Sequence, residues 1–262
     1  MRVTVLGHRG MLGHMVAKYL RAQGCQVLTL TQRFERSSPH AFLNELSETG
    51  PDWCVNCIGI GPRQATTREQ LFEVNALLPE MCIEALPPST GFIQASTDGV
   101  FDSSRSQRIF SEATDAQDDY GQSKRRAEAV IKGNHRYVIR CSIIGPELGR
   151  GHNLLNWFLS EDSSVKGYVN HFWNGITTLE WAKLAYRVMT KEVVCVGIFQ
   201  PGIFPALTKY ELLVLLGRVW GHSIKIIEVE AADSVVRTLL PNVPCPSMLD
   251  QLLELKAWVN VT

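Results

Sequence analysis

The sequence lacks any excess of charge: 26 lysines and arginines meet 26 aspartates and glutamates in 262 residues, for a formal net charge of zero. No basic field invites nucleic acid, and no acidic tail marks a disordered segment. Long apolar runs are missing too. No uninterrupted stretch approaches the roughly 20 residues that cross a bilayer, and MRVTVLGH enters a strand pattern at once, without the apolar core of a signal peptide. These absences predict an ordinary globular, cytoplasmic protein that binds neither nucleic acid nor membrane. Cysteine pairing is also scarce. The seven cysteines are odd in number, scattered, and mostly inside apolar stretches such as those around Cys82 and Cys141, which reads as reduced core residues. Cys54 and Cys57 form a CxxC within DWCVNCIGI, a buried-strand pattern. No second pair or histidine cluster follows at zinc spacing, so no metal is expected. Internal repeats and low-complexity linkers are absent.

What is present is an alternation of strand and helix patterns. The apolar content of 45% suffices for one core, or one core and a small lobe. RVTVLG, QVLTLT, DWCVNCIG, GFIQAS and YVIRCSII read as strands. MLGHMVAKYLRAQG reads as a helix stopped at Gly24, and Ser38 before Pro39 as an N-cap to AFLNEL. Further helices are expected near 68–86 and 119–132. Strands separated by helices imply parallel βαβ units, hence an α/β fold with a Rossmann-type doubly wound parallel sheet. Past residue 145 the rhythm changes. LLNWFLSE, TLEWAKLAYRVM, KYELLVLLGRVWG and SMLDQLLELKAWV are helical patterns, with short strands near 194–199 and 224–229. The expected division is a dinucleotide-binding domain over 1–145 and a smaller α+β substrate lobe over 146–262.

Between the first strand and first helix lies Gly7-His8-Arg9-Gly10-Met11-Leu12-Gly13. Glycines here let the backbone turn sharply and approach a pyrophosphate, whose charge meets the helix N-terminus. The spacing is GxxGxxG rather than GxGxxG, but its place after a strand and before a helix is the context a dinucleotide site requires. The second strand ends in Thr31-Gln32-Arg33, with no acid until Glu35 to hold ribose hydroxyls. Arg9 and Arg33 are suited to fork a 2′-phosphate, which favours NADPH over NADH; either is also an ordinary surface charge.

DYGQSK places Tyr120 and Lys124 four residues apart at a helix start, on one face. An ammonium beside a phenol favours the phenolate and draws its pKa down, which makes a tyrosine useful as an acid.

Taken in order, GHRGMLG, VNCIG, VNALLPE, STDGVFD, YGQSK, RCSIIGPELG and GYVNHFWNGITTLEWAKL resemble the extended short-chain dehydrogenase/reductases, in their dTDP-4-dehydrorhamnose reductase-like branch. The likeness spans nearly the whole chain. It implies that Tyr120 is the proton donor, that Lys124 lowers its pKa and holds the nicotinamide ribose, and that Thr97 donates to the same carbonyl oxygen. It also implies that Cys57, Gly59, Asn75 and Ser96 line the cofactor. In this family an aromatic usually follows Thr-Asp in the rhamnose reductases and a glutamate in the 4,6-dehydratases. This chain has Gly99, which argues against dehydration.

The resemblance therefore implies an NADPH-dependent reductase of a nucleotide-linked 4-keto-6-deoxy sugar, serving deoxysugar or polysaccharide synthesis. A nucleotide-sugar epimerase and a non-catalytic dinucleotide-binding regulatory subunit remain alternatives. Substrate contacts are expected from Asp98, Asn153, Trp157, Tyr168, Trp173 and Asn174, since indoles and phenols stack on bases and sugars while amides bind hydroxyls. Trp173 in HFWNGITT reads as a loop residue; Trp157 and Trp181 read equally well as packing. The apolar positions of EQLFEVNALLPEMCIEAL suit either a homodimer face or a buried helix.

Overall fold

The computed structural model describes residues 1–65, 67–105, 107–149, 153–193 and 197–260. The first half alternates regularly: β1 (Arg2–Leu6), α1 (Met11–Ala22), β2 (Gln26–Leu28), α2 (His40–Glu48) and β3 (Trp53–Asn56). Then come α3 (Arg68–Phe72), a π turn (Glu73–Leu77), α4 (Leu78–Ala85), β4 (Gly91–Ser96), α5 (Asp119–Val130) and β5 (Arg136–Arg140). The second half is more broken. It runs β6 (Ile143–Ile144), α6 (Leu154–Ser160), β7 (Val165–Tyr168), β8 (His171–Trp173), β9 (Ile176–Thr177), α7 (Thr178–Met189) and β10 (Ile198–Phe199). It ends with β11 (Pro201–Gly202), β12 (Leu207–Thr208), α8 (Lys209–Trp220), β13 (Ile226–Val229), β14 (Val235–Arg237), β15 (Val243–Pro244) and α9 (Met248–Asn260).

The central sheet has six strands in the order β10-β5-β4-β3-β1-β2, all parallel, with Val5 opposite Val55 and Ile93 opposite Tyr137. Helices cover both faces, so β1 and β3 are buried along almost their whole length rather than on alternate residues. This is the doubly wound α/β sheet that the alternation predicts. One face packs Val16, Ala17 and Leu20 of α1 against Trp181, Leu184 and Val188 of α7; the other packs Phe42 and Leu46 of α2 against Leu78 and Cys82. Leu71, Ala76, Leu78 and Cys82 are all buried within the chain. Part of the apolar side of the helical run over 68–85 is therefore core, while Phe72, Val74, Leu77, Met81 and Ile83 are half-buried.

The lobe forms around β8, which pairs with β12 on one side and β14 on the other, and around a core that includes Phe158, Trp173, Leu212 and Leu216. The chain does not stay in that lobe after residue 145. Helix α7 returns to pack on α1, and β10 completes the large sheet beside β5. Of the strand expected over 194–199, Ile198–Phe199 is seen, and 194–196 lie outside the described residues. Helix α2 begins one residue later than a Ser38 cap requires. Pro39 occupies the cap position and has no side-chain acceptor, so this N-terminus carries no side-chain cap.

Candidate active site

The turn after β1 is shaped by two glycines. Gly7 has φ of 75°, a left-handed conformation that side chains resist, and a Cβ on Gly13 would lie 2.1 Å from the Gly7 carbonyl oxygen. That contact lets α1 start directly against the strand end. Gly10 caps the helix without any side-chain bond, and no acid stands in the first turn. The first-turn N–H groups therefore have no side-chain acceptor at the cap, which suits a diphosphate. Beside them opens a cavity of about 420 Å³, lined by Gly7–Gly10, Leu30–Phe34 and Ile58 among others. Arg9 and Arg33 both reach it from exposed positions. Glu45 of α2 accepts from the Thr31 N–H at 2.8 Å, the Thr31 hydroxyl at 2.9 Å and the Gln32 N–H at 2.9 Å. Burial works to raise this carboxyl's pKa, and those three bonds outweigh it and hold it low. The nearest acid is thus consumed in fixing the loop that carries Arg33. These features fit a dinucleotide, and an arginine pair suits one with a 2′-phosphate.

The end of β4 carries the second part of the site. Thr97 caps a tight turn over Asp98–Val100 by accepting from the Gly99 N–H at 3.0 Å, and donates its own hydrogen to Asp98 Oδ1 at 3.0 Å. Asp98 Oδ2 also accepts from Ser142 Oγ at 2.8 Å. Helix α5 begins at the Asp118 cap, which accepts from the Gly121 N–H, and this presents Tyr120 to Thr97. A hydroxyl has one hydrogen. Thr97 must therefore release Asp98 before it can donate to a sugar oxygen, and Ser142 remains to satisfy that carboxylate.

Two expectations about the catalytic pair are corrected. Burial pushes the Tyr120 phenol up rather than down; the Thr97 hydrogen bond and the Arg237 guanidinium oppose that shift, while Asp98 and Asp118 reinforce it. Lys124 directs its ammonium elsewhere, donating to the Ala95 carbonyl at 2.8 Å. Its position at i+4 puts it on the right face, but burial beneath β4 fixes its partner. Burial also lowers the Lys124 pKa to about 8, against the upward pull of Glu128 and Cys57.

The remaining cofactor candidates divide. A Cβ on Gly59 would lie 3.6 Å from Lys124 Nζ and 3.5 Å from Asn75 Oδ1, so these three meet at the cleft. Asn75, within the π turn, braces the site: it accepts from the Ile60 N–H and donates to the Ile60 carbonyl and to Ser123 Oγ of α5. Such π turns recur at functional sites. Cys57 stands close enough to Lys124 to raise its pKa, whereas the buried Cys54 points away from ligand chemistry, its thiol pushed far up by burial. Ser96 gives its hydroxyl hydrogen to Glu128 Oε1 at 2.6 Å, which leaves it only as an acceptor towards a cofactor.

In the lobe, Trp173 and Asn174 are not open contacts. Trp173 lies in β8 and is 4% exposed within the lobe core; Asn174 clamps the backbone, donating to the Leu239 carbonyl at 2.7 Å and accepting from its N–H at 3.0 Å. Trp181 is wholly buried. Asn153 caps α6 and donates to the Gly145 carbonyl and Met11 Sδ, joining the lobe to the glycine turn. Trp157 is exposed on α6, and Tyr168 stacks on His171 at 4.6 Å. The sequence reading missed Glu45, Glu128, Ser142, Lys209 and Arg237; only Ser142, in RCSIIGPELG, stands in a motif that it used.

Residues 1–166 match the family described as the RmlD substrate binding domain. The chain belongs to this family, within the extended short-chain dehydrogenase/reductases. No curated protein matches it. Among solved structures it is similar to the dTDP-4-dehydrorhamnose reductase of Bacillus anthracis in complex with NADP, with a TM-score of 0.83, 14% identity and 98% of each chain covered. It is likewise similar to the dTDP-4-dehydrorhamnose reductase of Clostridium acetobutylicum, with a TM-score of 0.80, 16% identity and both chains covered in full. The Yersinia enterocolitica dTDP-4-dehydrorhamnose reductase gives 0.79 and 16%, over 98% of this chain and 99% of the other. At these identities the likeness is one of fold. Among the described residues, no helix is long and apolar enough to cross a membrane.

Proposed function

We propose that the protein reduces the keto group of a nucleotide-linked 4-keto-6-deoxy sugar in the cytoplasm, using NADPH in preference to NADH. The observation that carries this reading is the meeting of Tyr120 and Thr97 at the end of β4, with the Lys124 ammonium beside Gly59 and Asn75 in the cleft that starts at the glycine turn. The first-turn amides of α1 take the diphosphate, Arg9 and Arg33 the 2′-phosphate, and Lys124 the ribose next to the nicotinamide. When bound, the dinucleotide supplies the reducing equivalent.

The rest is done by side chains of this chain. Tyr120 is a phenol, protonated at neutral pH, whose pKa burial raises further, so it holds a proton for a carbonyl oxygen that gains negative charge. Thr97 adds a donor once it turns from Asp98. Lys209 and Arg237 supply positive charge around Asp98 and Tyr120, and the Lys209 ammonium lies over the Trp173 ring. Gly99, where the family's dehydratases carry a glutamate, argues against dehydration. NADPH consumption with a dTDP-4-keto-6-deoxy sugar, abolished in Tyr120→Phe without loss of NADPH binding, is the expected result. Isomerised sugar without net NADPH consumption would overturn the reading in favour of an epimerase.

A further inference from the structure

The interior arginines of this protein each have an acceptor. Arg140 holds Glu128 and Gln200, Arg136 holds the Thr90 carbonyl, Arg108 pairs with Glu112 and Asp115, and Arg125 holds Thr114 and the Ala116 carbonyl. Arg237 differs. It closes β14 opposite Trp173, is half-buried, and no hydrogen bond or ion pair engages its guanidinium among the described residues. A half-buried guanidinium that no protein acceptor engages keeps its donors for water or for a ligand.

The surroundings say which part of a ligand. A Cβ on Gly99 would lie 3.4 Å from Arg237 Nη1, 3.3 Å from Tyr120 Cε1 and 3.3 Å from Thr97 Oγ1. The guanidinium and the two groups that meet the carbonyl thus converge around Gly99. A sugar held by Tyr120 and Thr97 brings the substituents next to its carbonyl towards Arg237. Lys209 stands nearby, its ammonium over the Trp173 ring at 5.2 Å and facing Asp98, again with no acceptor among the described residues. Asp98 is already taken by Thr97 and Ser142, which leaves both cations for a ligand rather than for each other's acid.

We propose that Arg237 is a catalytic and specificity-determining residue that donates to a ring oxygen substituent of the sugar next to the carbonyl, beside Tyr120 and Thr97. The inference rests on the reductase reading above and adds a sugar contact to it. A guanidinium offers two parallel donors in a fixed plane, so it discriminates the arrangement of neighbouring oxygens in a way an ammonium does not. A site built to hydrogen-bond a hydroxyl rejects a sugar that lacks one there, because the guanidinium would again be left unpaired. Gly99 belongs to the same device, since a side chain at that position would crowd Thr97, Tyr120 and the guanidinium.

The test separates sugar from diphosphate. Binding of dTDP alone and of a dTDP-6-deoxyhexose product is measured by calorimetry for wild type, Arg237→Gln and Arg237→Lys, together with kcat and KM for the keto sugar and a melting temperature for each variant. Arg237→Gln is expected to melt like wild type, to bind dTDP within about twofold of wild type, and to lose about 10²-fold in kcat/KM, with Arg237→Lys between the two. Gly99→Phe is expected to reproduce the loss with Arg237 intact. Equal loss of dTDP and dTDP-sugar binding overturns the proposal and assigns Arg237 to the diphosphate. Unchanged kcat/KM in Arg237→Gln overturns it outright. A wild type that binds dTDP-sugar yet consumes no NADPH sinks the reductase reading instead, and the proposal falls with it.

Discussion

Arg140 and Glu128 form a two-pronged ion pair, 3.0 Å from Nε to Oε1 and 2.6 Å from Nη2 to Oε2, with both side chains almost wholly buried. Ser96 donates to the same carboxylate, so the end of β4, the strand β5 and the helix that carries Tyr120 and Lys124 are pinned at one point. The Arg140 guanidinium also lies over the Phe101 ring at 5.0 Å. Such a pair gains little over an apolar substitute, but breaking it leaves a buried charge alone. Glu128→Ala is expected to cost about 3–5 kcal/mol in urea unfolding, with the mutant chain still binding NADPH under conditions where it is folded.

Asn174 gives a second expectation, opposite to the one its sequence context suggests. Its amide closes two bonds to the Leu239 backbone and a longer one to the Ile203 carbonyl, all in the interior. Asn174→Ala strands these buried groups and should lower stability by about 1–3 kcal/mol. The KM for NADPH should stay as in wild type, because nothing in the cofactor cleft touches Asn174. A change confined to sugar KM, without loss of stability, would return it to the substrate site.

Much of the fold and the skeleton of the site can be read from the chain because their causes are local. Gly7 and Gly13 are needed within one turn, and Tyr120 and Lys124 share a face through the helical period. The alternation of strand and helix patterns likewise carries the parallel sheet. Other features depend on chain segments that meet only on folding. Trp173 reads as a loop residue because β8 is three residues long and becomes a strand by pairing with β12 and β14. Asn75 looks like any helical asparagine, and only the π turn aims it at Ile60 and Ser123. Lys124 is on the expected face but meets Ala95 instead of Tyr120, since β4 passes over it. Arg237 reaches Gly99 and Tyr120 from the far end of the sequence, where no motif announces it.

The proposed preference for NADPH rests on Arg9 and Arg33 at the cavity beside the glycine turn. A guanidinium to phosphate hydrogen bond is charge-assisted and contributes about 1.5–3 kcal/mol, a factor of roughly ten to a hundred in affinity. Arg33→Ser should therefore raise the NADPH dissociation constant by that order and leave NADH unaffected. Titration of intrinsic fluorescence with each dinucleotide measures it. Equal weakening of both would place Arg33 on the shared diphosphate or adenine. Glu45→Gln should weaken both in a milder way, because it loosens the Thr31–Gln32 loop without touching either ligand.

The Lys124 ammonium yields two opposite trends with pH. Its folded-state pKa is depressed to about 8 from an ordinary 10.5, so between those values the unfolded chain keeps a proton that the folded chain has released. Folding stability should therefore rise with pH across that window, by at most about 1.4 kcal/mol per unit, and the slope should vanish in Lys124→Met. Cofactor affinity should move the other way. If the ammonium holds the ribose, NADPH binding is strongest below about pH 8 and weakens as pH rises through that value. Glu128 is the larger of the two groups that hold this pKa up, ahead of Cys57, so in Glu128→Gln the weakening should begin at lower pH. Calorimetric NADPH titrations from pH 6.5 to about 9.5, read beside urea curves at the same values, test both limbs at once. An affinity flat with pH in wild type would remove Lys124 from the cofactor contacts and leave it as a prop for the Ala95 carbonyl.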